Sequence, residues 1–479
     1  MVEGNGPACT AVVLAAGLGK RMRSALPKVL HQVGGRPMLG RVLSAVAEAG
    51  IRHAVVVVGN GADAVRAAVA GGGVRPDGLE VVFAEQAAQR GTGDAARCGL
   101  EAVPPDAERI LILPGDAPLL SGPDLARLLS GQAGSGAAAT LLTTRLADPG
   151  GYGRVVRDAG GRVRAVVEER DASPVERAIT EVNASVYCVG RDLLERALAR
   201  CQTNNAQGEL YLTDVVGILY GDGELVTSEL VPDPATVMGV NDRVALAEAE
   251  AILRRRVLER LMRSGVTIVD PGTTYVDEAA EIGQDCVLAP QTHIVGACRV
   301  GPGCVLGPGA HLVASHLGPG CTVVHSVVEF SRLGPACAVG PFAHLRAGVE
   351  LGARVQVGNF AELKAARVGD DVKQHHHSYI GDAEVGPGVN VGAGVITVNF
   401  DGREKHRTVV GGGAFLGCNA NLIAPVEIGP GAFVAAGTTV TRAVPADALV
   451  VARPPQVVKE GWVRRRLRGG AGPATDGKP

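Results

Sequence analysis

The sequence after Thr267 repeats an aliphatic residue every six positions, and this spacing constrains the fold more than any other feature of the chain. Glycine often follows the aliphatic residue, and a small residue often lies four positions beyond it, as in VGPGCV and IGPGAF. The repeated aliphatic positions are Ile282, Leu288, Ile294, Val300, Leu306 and Leu312, then Leu333, Val339, Leu345, Leu351, Val357 and Leu363, then Val410, Leu416, Leu422, Ile428, Val434 and Val440. An unstructured Gly-rich linker would not keep an aliphatic residue at every sixth position through three separate runs.

Hexads of this kind predict a triangular parallel β-helix, in which three hexads make one coil and the aliphatic side chains stack inside. The composition agrees, because 67 glycines and only 3% aromatic residues suit repeated coils better than an ordinary core throughout. One long insertion, residues 399–408 (NFDGREKHRT), breaks the hexads. We expect functional residues there, because loops on a regular scaffold often bear the site.

The N-terminal half has a different pattern. From Thr10 to about Val240, short β-rich runs such as HAVVVVG and RILILPGD alternate with Ala-rich helical stretches, which predicts an α/β domain with a parallel sheet. A charged helical pattern that begins with an Asn cap signal and ends at Gly265 follows. We therefore predict an α/β domain over residues 1–240, a connecting helix over 241–265, a β-helix over 266–462 and a disordered tail over 463–479.

Charge and apolar patterning exclude several classes of protein. Lys plus Arg number 47 and Asp plus Glu 49, so the net charge of -2 gives no general attraction to nucleic acid or an anionic membrane. The apolar stretches are too short to span a bilayer, and the N-terminus lacks the layout of a secretory signal. Ten cysteines without CxxC pairs indicate reduced thiols rather than disulfides or structural zinc. We expect a cytoplasmic protein.

A glycine-rich segment follows the first predicted strand, in LAAGLGKRMRSALPKVL. Gly17 and Gly19 allow a tight turn whose N–H groups point outward, and such a loop can hold the phosphates of a nucleotide. A turn with a purely structural role fits the same residues, because the third glycine of a dinucleotide fingerprint is missing. A second Gly-rich turn at residues 89–95 and Asp116 after a buried strand favour a ligand site at the carboxyl ends of the strands.

Taken together, these motifs resemble a known family. LAAGxGxRM, LPKVLH, GTG, GDxPL, GYGR, VVEERDA, EVNAS, GELYLTD and GVNDR occur in the order typical of sugar-1-phosphate nucleotidyltransferases. With the hexads behind them, the chain from about residue 10 to Trp462 resembles the bifunctional N-acetylglucosamine-1-phosphate uridyltransferase / glucosamine-1-phosphate N-acetyltransferase family. The resemblance implies a Rossmann-like nucleotidyltransferase domain of GT-A type followed by a left-handed parallel β-helix.

For the first domain, the resemblance implies uridylyl transfer from UTP to N-acetylglucosamine 1-phosphate. The sugar phosphate is the nucleophile, so the protein positions substrates and neutralises charge. Arg21 and Lys28 match the phosphate-binding cations, and Asp116 and Asn241 match the Mg²⁺ ligands. The residues that match the UTP and UDP-N-acetylglucosamine site are Leu14, Ala15, Gly17, Lys28, Gln86, Gln89, Gly91, Thr92, Gly153, Glu168, Asn183 and Asn241. Asp94 stands where a His is common, and EVNAS replaces the more usual EINTG.

Three consecutive histidines, His375 to His377, precede Tyr379. If they lay in an extended strand, His375 and His377 would face away from His376, which argues against one shared metal ion. Acetyl transfer to an amine needs a group that removes a proton near neutral pH, as an imidazole does. The family has one His three residues before the Tyr, so the resemblance selects His376 as the general base.

The resemblance also implies the rest of the acetyl-transfer site and its assembly. Asn399 would orient the amine and the acetyl group, and a homotrimer formed through the β-helix would share the site among subunits. The residues that match the glucosamine 1-phosphate site are Arg346, Lys364, Tyr379, Asn390 and Lys405. The residues that match the acetyl-CoA site are Ala393, Asn399, Phe400, Cys418, Ala436 and Arg453. Cys418 stands where Ser is common, and Phe400 where Tyr is common.

Two other interpretations fit parts of the sequence. The β-helix could serve only for oligomerisation behind a single nucleotidyltransferase, but then His376, the insertion and Arg453 would have no purpose. A scaffold that has lost catalysis is a second alternative. It gives no reason to keep Arg21, Lys28, Asp116 and Asn241 in order.

Overall fold

The computed structural model describes residues 9–467, and the chain divides into two compact units, Met1–Val257 and Leu258–Pro479. The division falls inside helix α8 (Arg243–Arg263), which occupies the predicted connecting segment. The N-terminal part of α8 packs through Ala249 and Leu253 into a small cluster of the first unit with Met38 and Val240. No helix among residues 9–467 is both long enough and apolar enough to cross a membrane.

The first unit contains eleven strands and eight helices within the described part of the chain. The strands are β1 (Cys9–Leu14), β2 (Gln32–Val33), β3 (Arg36–Pro37), β4 (His53–Val58), β5 (Glu80–Glu85), β6 (Arg109–Pro114), β7 (Ala139–Arg145), β8 (Arg154–Arg157), β9 (Val163–Val167), β10 (Glu181–Gly190) and β11 (Val226–Leu230). The helices before α8 are α1 (Met38–Glu48), α2 (Ala62–Ala70), α3 (Thr92–Glu101), α4 (Gly122–Ser135), α5 (Pro174–Arg177), α6 (Arg191–Leu198) and α7 (Asp214–Gly221). Short 3-10 helices cover Lys20–Met22, Lys28–Leu30 and Pro234–Val237.

A mixed nine-stranded sheet organises this unit, in the order β11-β7-β10-β6-β1-β4-β5, with β8 paired to β10 and β9 paired to β8. Strands β6, β1, β4 and β5 are parallel, whereas β10 runs antiparallel to its neighbours. Side chains alternate between the two faces, so Val13 packs with α1, α2 and α4 while Val12 packs with α3, α6 and α7. The predicted α/β fold is confirmed, and the carboxyl ends of β1, β4, β5 and β6 meet at one edge.

The second unit consists of two sheets of short parallel strands. The 11-stranded sheet contains β12 (Thr267–Ile268), β15 (Val287–Leu288), β18 (Val305–Leu306), β21 (Thr322–Val323), β24 (Ala338–Val339), β27 (Gln356–Val357), β29 (Lys373–Gln374), β31 (Asn390–Val391), β34 (Phe415–Leu416), β37 (Phe433–Val434) and β39 (Leu449–Val450). The 17-stranded sheet contains β13 (Tyr275–Val276), β14 (Glu281–Ile282), β16 (His293–Val295), β17 (Arg299–Val300), β19 (His311–Val313), β20 (His316–Leu317), β22 (Val327–Glu329), β23 (Arg332–Leu333), β25 (His344–Leu345), β26 (Glu350–Leu351), β28 (Ala361–Val368), β30 (Ser378–Val385), β32 (Ile396–Val398), β33 (Thr408–Val410), β35 (Asn421–Ile423), β36 (Val426–Ile428) and β38 (Thr439–Val440).

The pairing between strands confirms the parallel β-helix. Val287 pairs with Val305, 18 residues later, so one coil contains three hexads. Every aliphatic position of the predicted repeat except Ile282 is buried. The phase changes between runs because some coils are shorter: Leu312 pairs with Val328, 16 residues later. The predicted insertion lengthens another coil, in which Val385 pairs with Val410, 25 residues later.

The end of the chain differs from the prediction of a disordered tail over residues 463–479. Residues 463–467 belong to a short exposed helix, α9 (Trp462–Leu467). One turn of helix brings the Arg466 guanidinium to 5.8 Å from the ring centroid of Trp462, a cation–π contact that stabilises it. Residues 468–479 lie outside the described part of the chain.

Candidate active sites

A cleft of about 410 Å³ opens in the first unit at the carboxyl edge of the sheet. Open α/β sheets bind ligands at this edge. The predicted residues that line the cleft are Leu14, Ala15, Gly17, Lys28, Gln86, Gln89, Gly91, Thr92, Asp116 and Glu168. Ser185, Tyr187, Glu209 and Thr213 line it too, and our sequence analysis did not select them individually, although Glu209 and Thr213 belong to the quoted motif GELYLTD. The sequence motifs therefore meet at one concave site.

Glycines allow the loops around the cleft to approach one another. Gly19 has a φ of +57°, and a Cβ there would lie 2.9 Å from Lys28 Cβ, so a larger side chain would push Lys28 away. Gly91 has a φ of +111°, and a Cβ there would lie 2.4 Å from the carbonyl oxygen of Leu210. Backbone hydrogen bonds from Gly93 N to Leu210 O and from Leu210 N to Arg90 O, both 2.8 Å, join this turn to the GELYLTD segment.

At the edge of the cleft, side-chain oxygens of Asp116 and Asn241 accept hydrogen bonds from one cation, Lys28. The Lys28 ammonium donates a hydrogen bond to Asp116 Oδ2 and another, 3.1 Å long, to Asn241 Oδ1. The side chains of Lys28 and Asp116 are each 16% exposed, so both remain open to a ligand. A carboxylate and a carboxamide oxygen are ligands that suit Mg²⁺, and a positive charge already lies between them. The donor set therefore fits the predicted metal ion.

Of the predicted sugar-binding residues, Glu168 lines the cleft, and Gly153 and Asn183 contact each other. Asn183 N donates to Gly153 O at 2.9 Å, and Asn183 Nδ2 donates to the Tyr187 hydroxyl at 2.6 Å. Burial raises the pKa of Glu168, whose carboxylate accepts a 3.2 Å hydrogen bond from Thr213. A buried hydrogen-bonding group of this kind suits recognition of sugar hydroxyl groups.

A buried arginine supports the predicted sugar-binding residues. Arg154, whose side chain is 2% exposed, forms an ion pair of 2.6 Å with Glu169 and donates to the carbonyl oxygen of Tyr152. Glu169 also accepts a 3.3 Å hydrogen bond from Gly151 N. The pair thus links the GYGR segment, which contains Gly153, to the VVEERDA segment, which contains Glu168.

Arg21 differs from the other predicted residues of this site. It is exposed, does not line the cleft, and forms no side-chain hydrogen bond or ion pair with residues 9–467. It lies in the 3-10 helix Lys20–Met22 at the mouth of the glycine-rich loop. A long cation on a loop can reach an anion only when one is bound.

In the second unit, strands of adjacent coils bring together a group of cations. Backbone pairing places Arg346 beside Lys364 and Lys364 beside Gly381, since Arg346 N donates to Leu363 O and Lys364 pairs with Gly381. Hydrogen bonding to Lys405, which lies on the insertion, and the charge of Lys405 lower the pKa of Lys364. Arg346 already forms an ion pair of 3.0 Å with Glu362, so Lys364 and Lys405 are the cations of this cluster that favour an anionic ligand.

The polar residues beside this cluster are also ordered. Tyr379 folds over Gly381, where a Cβ would lie 2.3 Å from the Tyr379 hydroxyl. Asn399 Nδ2 donates to Asp382 Oδ2 at 2.5 Å and to the Tyr379 hydroxyl at 3.4 Å. Asp382 was missed by our sequence analysis, although its place three residues after Tyr379 in a long strand could have suggested it.

The insertion forms a small hairpin that presents Lys405. Phe400 and Lys405 form an antiparallel bridge, and His406 N donates to Asn399 O at 2.8 Å. The Asp401 carboxylate accepts hydrogen bonds from two backbone N–H groups of the turn and contacts His406 Nε2 at 2.7 Å. These hydrogen bonds hold the pKa of Asp401 well below its usual range.

Our assumption that the histidine triplet lies in an extended strand is wrong. Strand β29 ends at Gln374 and β30 begins at Ser378, so His375, His376 and His377 occupy an exposed corner between them. The corner forms because the coil must turn from one sheet to the next. His375 Nε2 contacts Gln356 Oε1 at 2.7 Å, whereas His376 is exposed and only its carbonyl oxygen accepts a hydrogen bond from Ser378, 2.8 Å long.

Four predicted residues of the acetyl-transfer site occupy this same corner in successive coils. Each lies two positions beyond the end of a strand in the 11-stranded sheet, and strands β29, β31, β34 and β37 pair in that order. In chain order, these residues are His376, Ala393, Cys418 and Ala436. These four residues form a column along the β-helix. Arg453 extends this column, because its Nη1 donates to Ala436 O at 2.6 Å. Asn390 lies in β31 of this 11-stranded sheet, whereas Lys364 and Tyr379 lie in β28 and β30 of the 17-stranded sheet.

Comparisons with known proteins identify the families of both units. The sequence profile of the MobA-like NTP transferase domain matches residues 11–210, and that of the bacterial transferase hexapeptide repeat matches residues 279–314 and 407–442. The chain is 46% identical to the bifunctional protein GlmU of Shouchella clausii over 95% of this chain and 98% of that protein. For GlmU of Trichlorobacter lovleyi the identity is 45%, with coverage of 96% and 99%, and for GlmU of Mycolicibacterium vanbaalenii it is 46%, with coverage of 96% and 94%. Identity at this level over nearly the whole length of both chains shows that the protein belongs to the GlmU family of bifunctional acetyltransferases and uridylyltransferases.

Proposed function

We propose that the two units catalyse consecutive steps toward UDP-N-acetylglucosamine, the precursor of peptidoglycan and other envelope polysaccharides. The β-helix transfers acetyl from acetyl-CoA to glucosamine 1-phosphate. The α/β unit then transfers uridylyl from UTP to the resulting N-acetylglucosamine 1-phosphate and releases pyrophosphate. The observation that supports this most directly is the convergence of Lys28, Asp116 and Asn241 in one unit and the column headed by His376 in the other.

In the uridylyl site, Asp116 and Asn241 would hold Mg²⁺, which when bound would supply positive charge to the phosphate oxygens of the nucleotide. Lys28 and the exposed Arg21 bind the triphosphate, so the chain itself supplies charge neutralisation on both sides of the α-phosphate. The sugar phosphate oxygen attacks that phosphorus in line, the bond to the β-phosphate breaks, and pyrophosphate leaves. The protein supplies position and charge rather than a nucleophile.

Two sets of contacts fix the substrates in this geometry. The backbone of Leu14, Ala15 and Gly17, with Gln86, Gln89, Gly91 and Thr92, binds the uridine. Gly153, Glu168 and Asn183 bind the sugar. Ser185 N donates to Asn183 Oδ1 at 3.1 Å, which keeps the Asn183 carboxamide in the orientation that donates to the Tyr187 hydroxyl. Binding both substrates in one cleft converts a bimolecular step into one within the complex.

In the acetyl site, His376 takes a proton from the ammonium of glucosamine 1-phosphate. The free amine attacks the thioester carbonyl carbon and the carbon–sulfur bond breaks. The nitrogen then loses its second proton as it becomes an amide, and the CoA thiolate takes up one proton and leaves as a thiol. Asn399 orients the amine and the acetyl group. Its amide nitrogen donates to Asp382 and Tyr379, so its oxygen remains available to accept a hydrogen bond from the amine.

The remaining predicted residues of this site bind the two ligands. Arg346, Lys364, Tyr379, Asn390 and Lys405 bind the sugar phosphate. The dianion relieves the repulsion between Lys364 and Lys405 that lowers the pKa of Lys364. Coenzyme A lies along the column of Ala393, Cys418, Ala436 and Arg453, with Asn399 and Phe400 near its thioester end.

We further propose that three chains assemble through the β-helix and that each acetyl site is shared among subunits. The position of Asn390 on the 11-stranded sheet, rather than beside Lys364, supports sharing. A mass three times the chain's 48.9 kDa in light scattering tests the trimer. A mixture of Lys364→Ala and Arg453→Ala proteins, refolded together, should regain acetyl transfer if these residues act in different subunits. No gain in a mixed trimer would contradict sharing.

A cytoplasmic location is also our proposal. All ten cysteines are free thiols, as expected in a reducing compartment, and both reactions consume intracellular metabolites. The function as a whole is tested by assaying each half-reaction separately on the purified chain: CoA release from acetyl-CoA with glucosamine 1-phosphate, and pyrophosphate release from UTP with N-acetylglucosamine 1-phosphate. Loss of either activity from a folded wild-type protein would contradict the proposal.

A further inference from the structure

Asp94 is a buried acid that follows the glycine-rich turn in the first turn of α3. We propose that Asp94 is a positioning residue that fixes the carboxamide of Gln86, so that only the Gln86 oxygen faces the base and the cleft selects an imide-bearing base over cytosine. The proposal rests on the proposed uridylyl site, and it concerns how that site distinguishes its nucleotide.

The amide nitrogen of Gln86 is held by two acceptors. Gln86 Nε2 donates to Asp94 Oδ2 at 3.0 Å and to the carbonyl oxygen of Gly91 at 3.1 Å. A carboxylate and a carbonyl oxygen can only accept hydrogen bonds, so the reversed orientation would place Gln86 Oε1 against two oxygens. Asp94 and Gly91 therefore keep the amide nitrogen of Gln86, and not its oxygen, turned toward them.

Asp94 is itself held in place. It lies in the first turn of α3, where the helix dipole and free N–H groups favour a negative charge, and it is only 5% exposed. Its other oxygen, Oδ1, forms an ion pair of 2.6 Å with Arg97, one turn along the helix. Both carboxylate oxygens are thus engaged, and Oδ2 stays directed at Gln86.

The second anchor is equally constrained. Gly91 precedes α3 with a φ of +111°, and the neighbouring turn is joined to residues 210–212. Leu212 N donates to the Thr92 hydroxyl at 3.0 Å, in addition to the backbone hydrogen bonds of Gly93 and Leu210. The Gly91 carbonyl oxygen therefore cannot turn away from Gln86 without breaking this junction.

The free end of the carboxamide faces the cleft. Gln86 is 4% exposed and lines the cleft, and its Oε1 accepts no hydrogen bond from residues 9–467, nor is it among the fully enclosed polar atoms without a partner. An oxygen in this position accepts the N3–H of uracil. Cytosine presents a lone pair at N3 instead, which the fixed oxygen repels, and a buried acceptor left unpaired is unfavourable.

The test compares nucleotides in the pyrophosphate-release assay with N-acetylglucosamine 1-phosphate. Asp94→Leu keeps the branched shape of the side chain but removes the acceptor, so we expect the kcat/KM ratio of UTP to CTP to fall at least about tenfold. The ratio of UTP to dTTP should not change, because thymine has the same N3–H. Arg97→Ala keeps the Asp94 contact to Gln86, so this variant should retain the UTP to CTP ratio.

An unchanged UTP to CTP ratio in folded Asp94→Leu, or an equal loss with all three nucleotides, would overturn the proposal. A measurement on the wild-type protein does not depend on the folding of a variant: 3-methyluridine triphosphate lacks the N3–H and should be used at least about a hundredfold less well than UTP. Equal use of the two would also overturn it. If the wild-type protein released no pyrophosphate from UTP, the proposed function itself would fail instead.

Discussion

Lys28 Nζ donates a 3.1 Å hydrogen bond to Asn241 Oδ1, although 213 residues separate them in the chain. The contact arises because Val240 N donates to the carbonyl oxygen of Asp116 at 2.9 Å, which places Asn241 beside the loop after β6. The segment immediately before α8 thus contributes a residue to the first candidate site. The same arrangement places both predicted Mg²⁺ ligands around one cation.

Replacement of Asp116 should separate the two activities. Asp116→Ala removes the carboxylate that holds the metal ion, so we expect uridylyl transfer to fall at least about a hundredfold while acetyl transfer is unchanged. The measurement is the rate of each half-reaction on the same preparation. Asp63→Ala, at a fully exposed acid of α2, is the matched control and should change neither rate. Equal loss of both activities would mean that Asp116 serves folding instead.

Replacement of His376 should have the reciprocal effect. Loss of a general base typically slows such a step by about 10²- to 10⁴-fold, so His376→Ala should abolish most acetyl transfer and leave uridylyl transfer intact. The neighbours provide matched controls, because His375→Ala and His377→Ala alter imidazoles of the same exposed corner. If either neighbour proved as damaging in a folded protein, our choice of base would be wrong.

His31 should make the first unit less stable in mild acid. Arg243 Nη1 lies 3.3 Å from His31 Nδ1 and can only donate, so the ring is neutral, and its buried Nε2 has no hydrogen-bond partner in the described chain. Burial, and secondarily the charge of Arg243, lower the pKa of His31 below the unfolded value of 6.5. The unfolded state then binds more protons, so stability present above pH 6.5 is lost as the pH falls below it.

The matching experiment follows the melting temperature from pH 7.5 to about pH 5. In His31→Gln, which keeps an acceptor for Arg243 but does not titrate, the decline of the melting temperature should be shallower than in the wild-type protein. His53→Gln, at a half-exposed histidine of the same unit, should leave the decline unchanged. Parallel curves for wild type and His31→Gln would show that His31 does not contribute.

The ion pair of the buried Arg154 with the partly exposed Glu169 should control the sugar site. Glu169→Gln leaves the enclosed guanidinium without its counter-charge, so the GYGR segment should loosen and the melting temperature of the first unit should fall. Since Gly153 and Glu168 flank the pair, we expect KM for N-acetylglucosamine 1-phosphate to rise about tenfold, with a smaller change for UTP. Glu195→Gln, at an exposed position of α6, is the control. An unchanged KM would assign the pair a purely structural role.

Much of this architecture was predictable because its signals are local. The six-residue period reports burial directly, since Leu288, Leu306 and Val323 each turn inward at the same point of a coil. Gly91 and Asp116 follow strands that end at one edge, and the order of the strands alone predicts a cleft there. The insertion at residues 399–408 was visible because it breaks the period.

Other features depend on contacts between distant segments. The orientation of Gln86 by Asp94, the pairing of Arg154 with Glu169, and the hydrogen bond of Asn399 to Asp382 have no periodic signal. The histidine triplet shows the same limit, because alternation along a strand does not hold where the coil turns a corner. Backbone geometry at the corner, and not residue type, decides where these side chains lie.

By itself, the sequence determined that an α/β unit precedes a β-helix and which segments hold reactive groups, because burial period and turn chemistry are properties of neighbouring residues. Only the tertiary structure decided that Asn241 reaches Lys28 and that His376 heads the column leading to Arg453. Such contacts depend on how strands and coils pair across the fold, and pairing brings together residues whose spacing in the chain contains no record of their proximity.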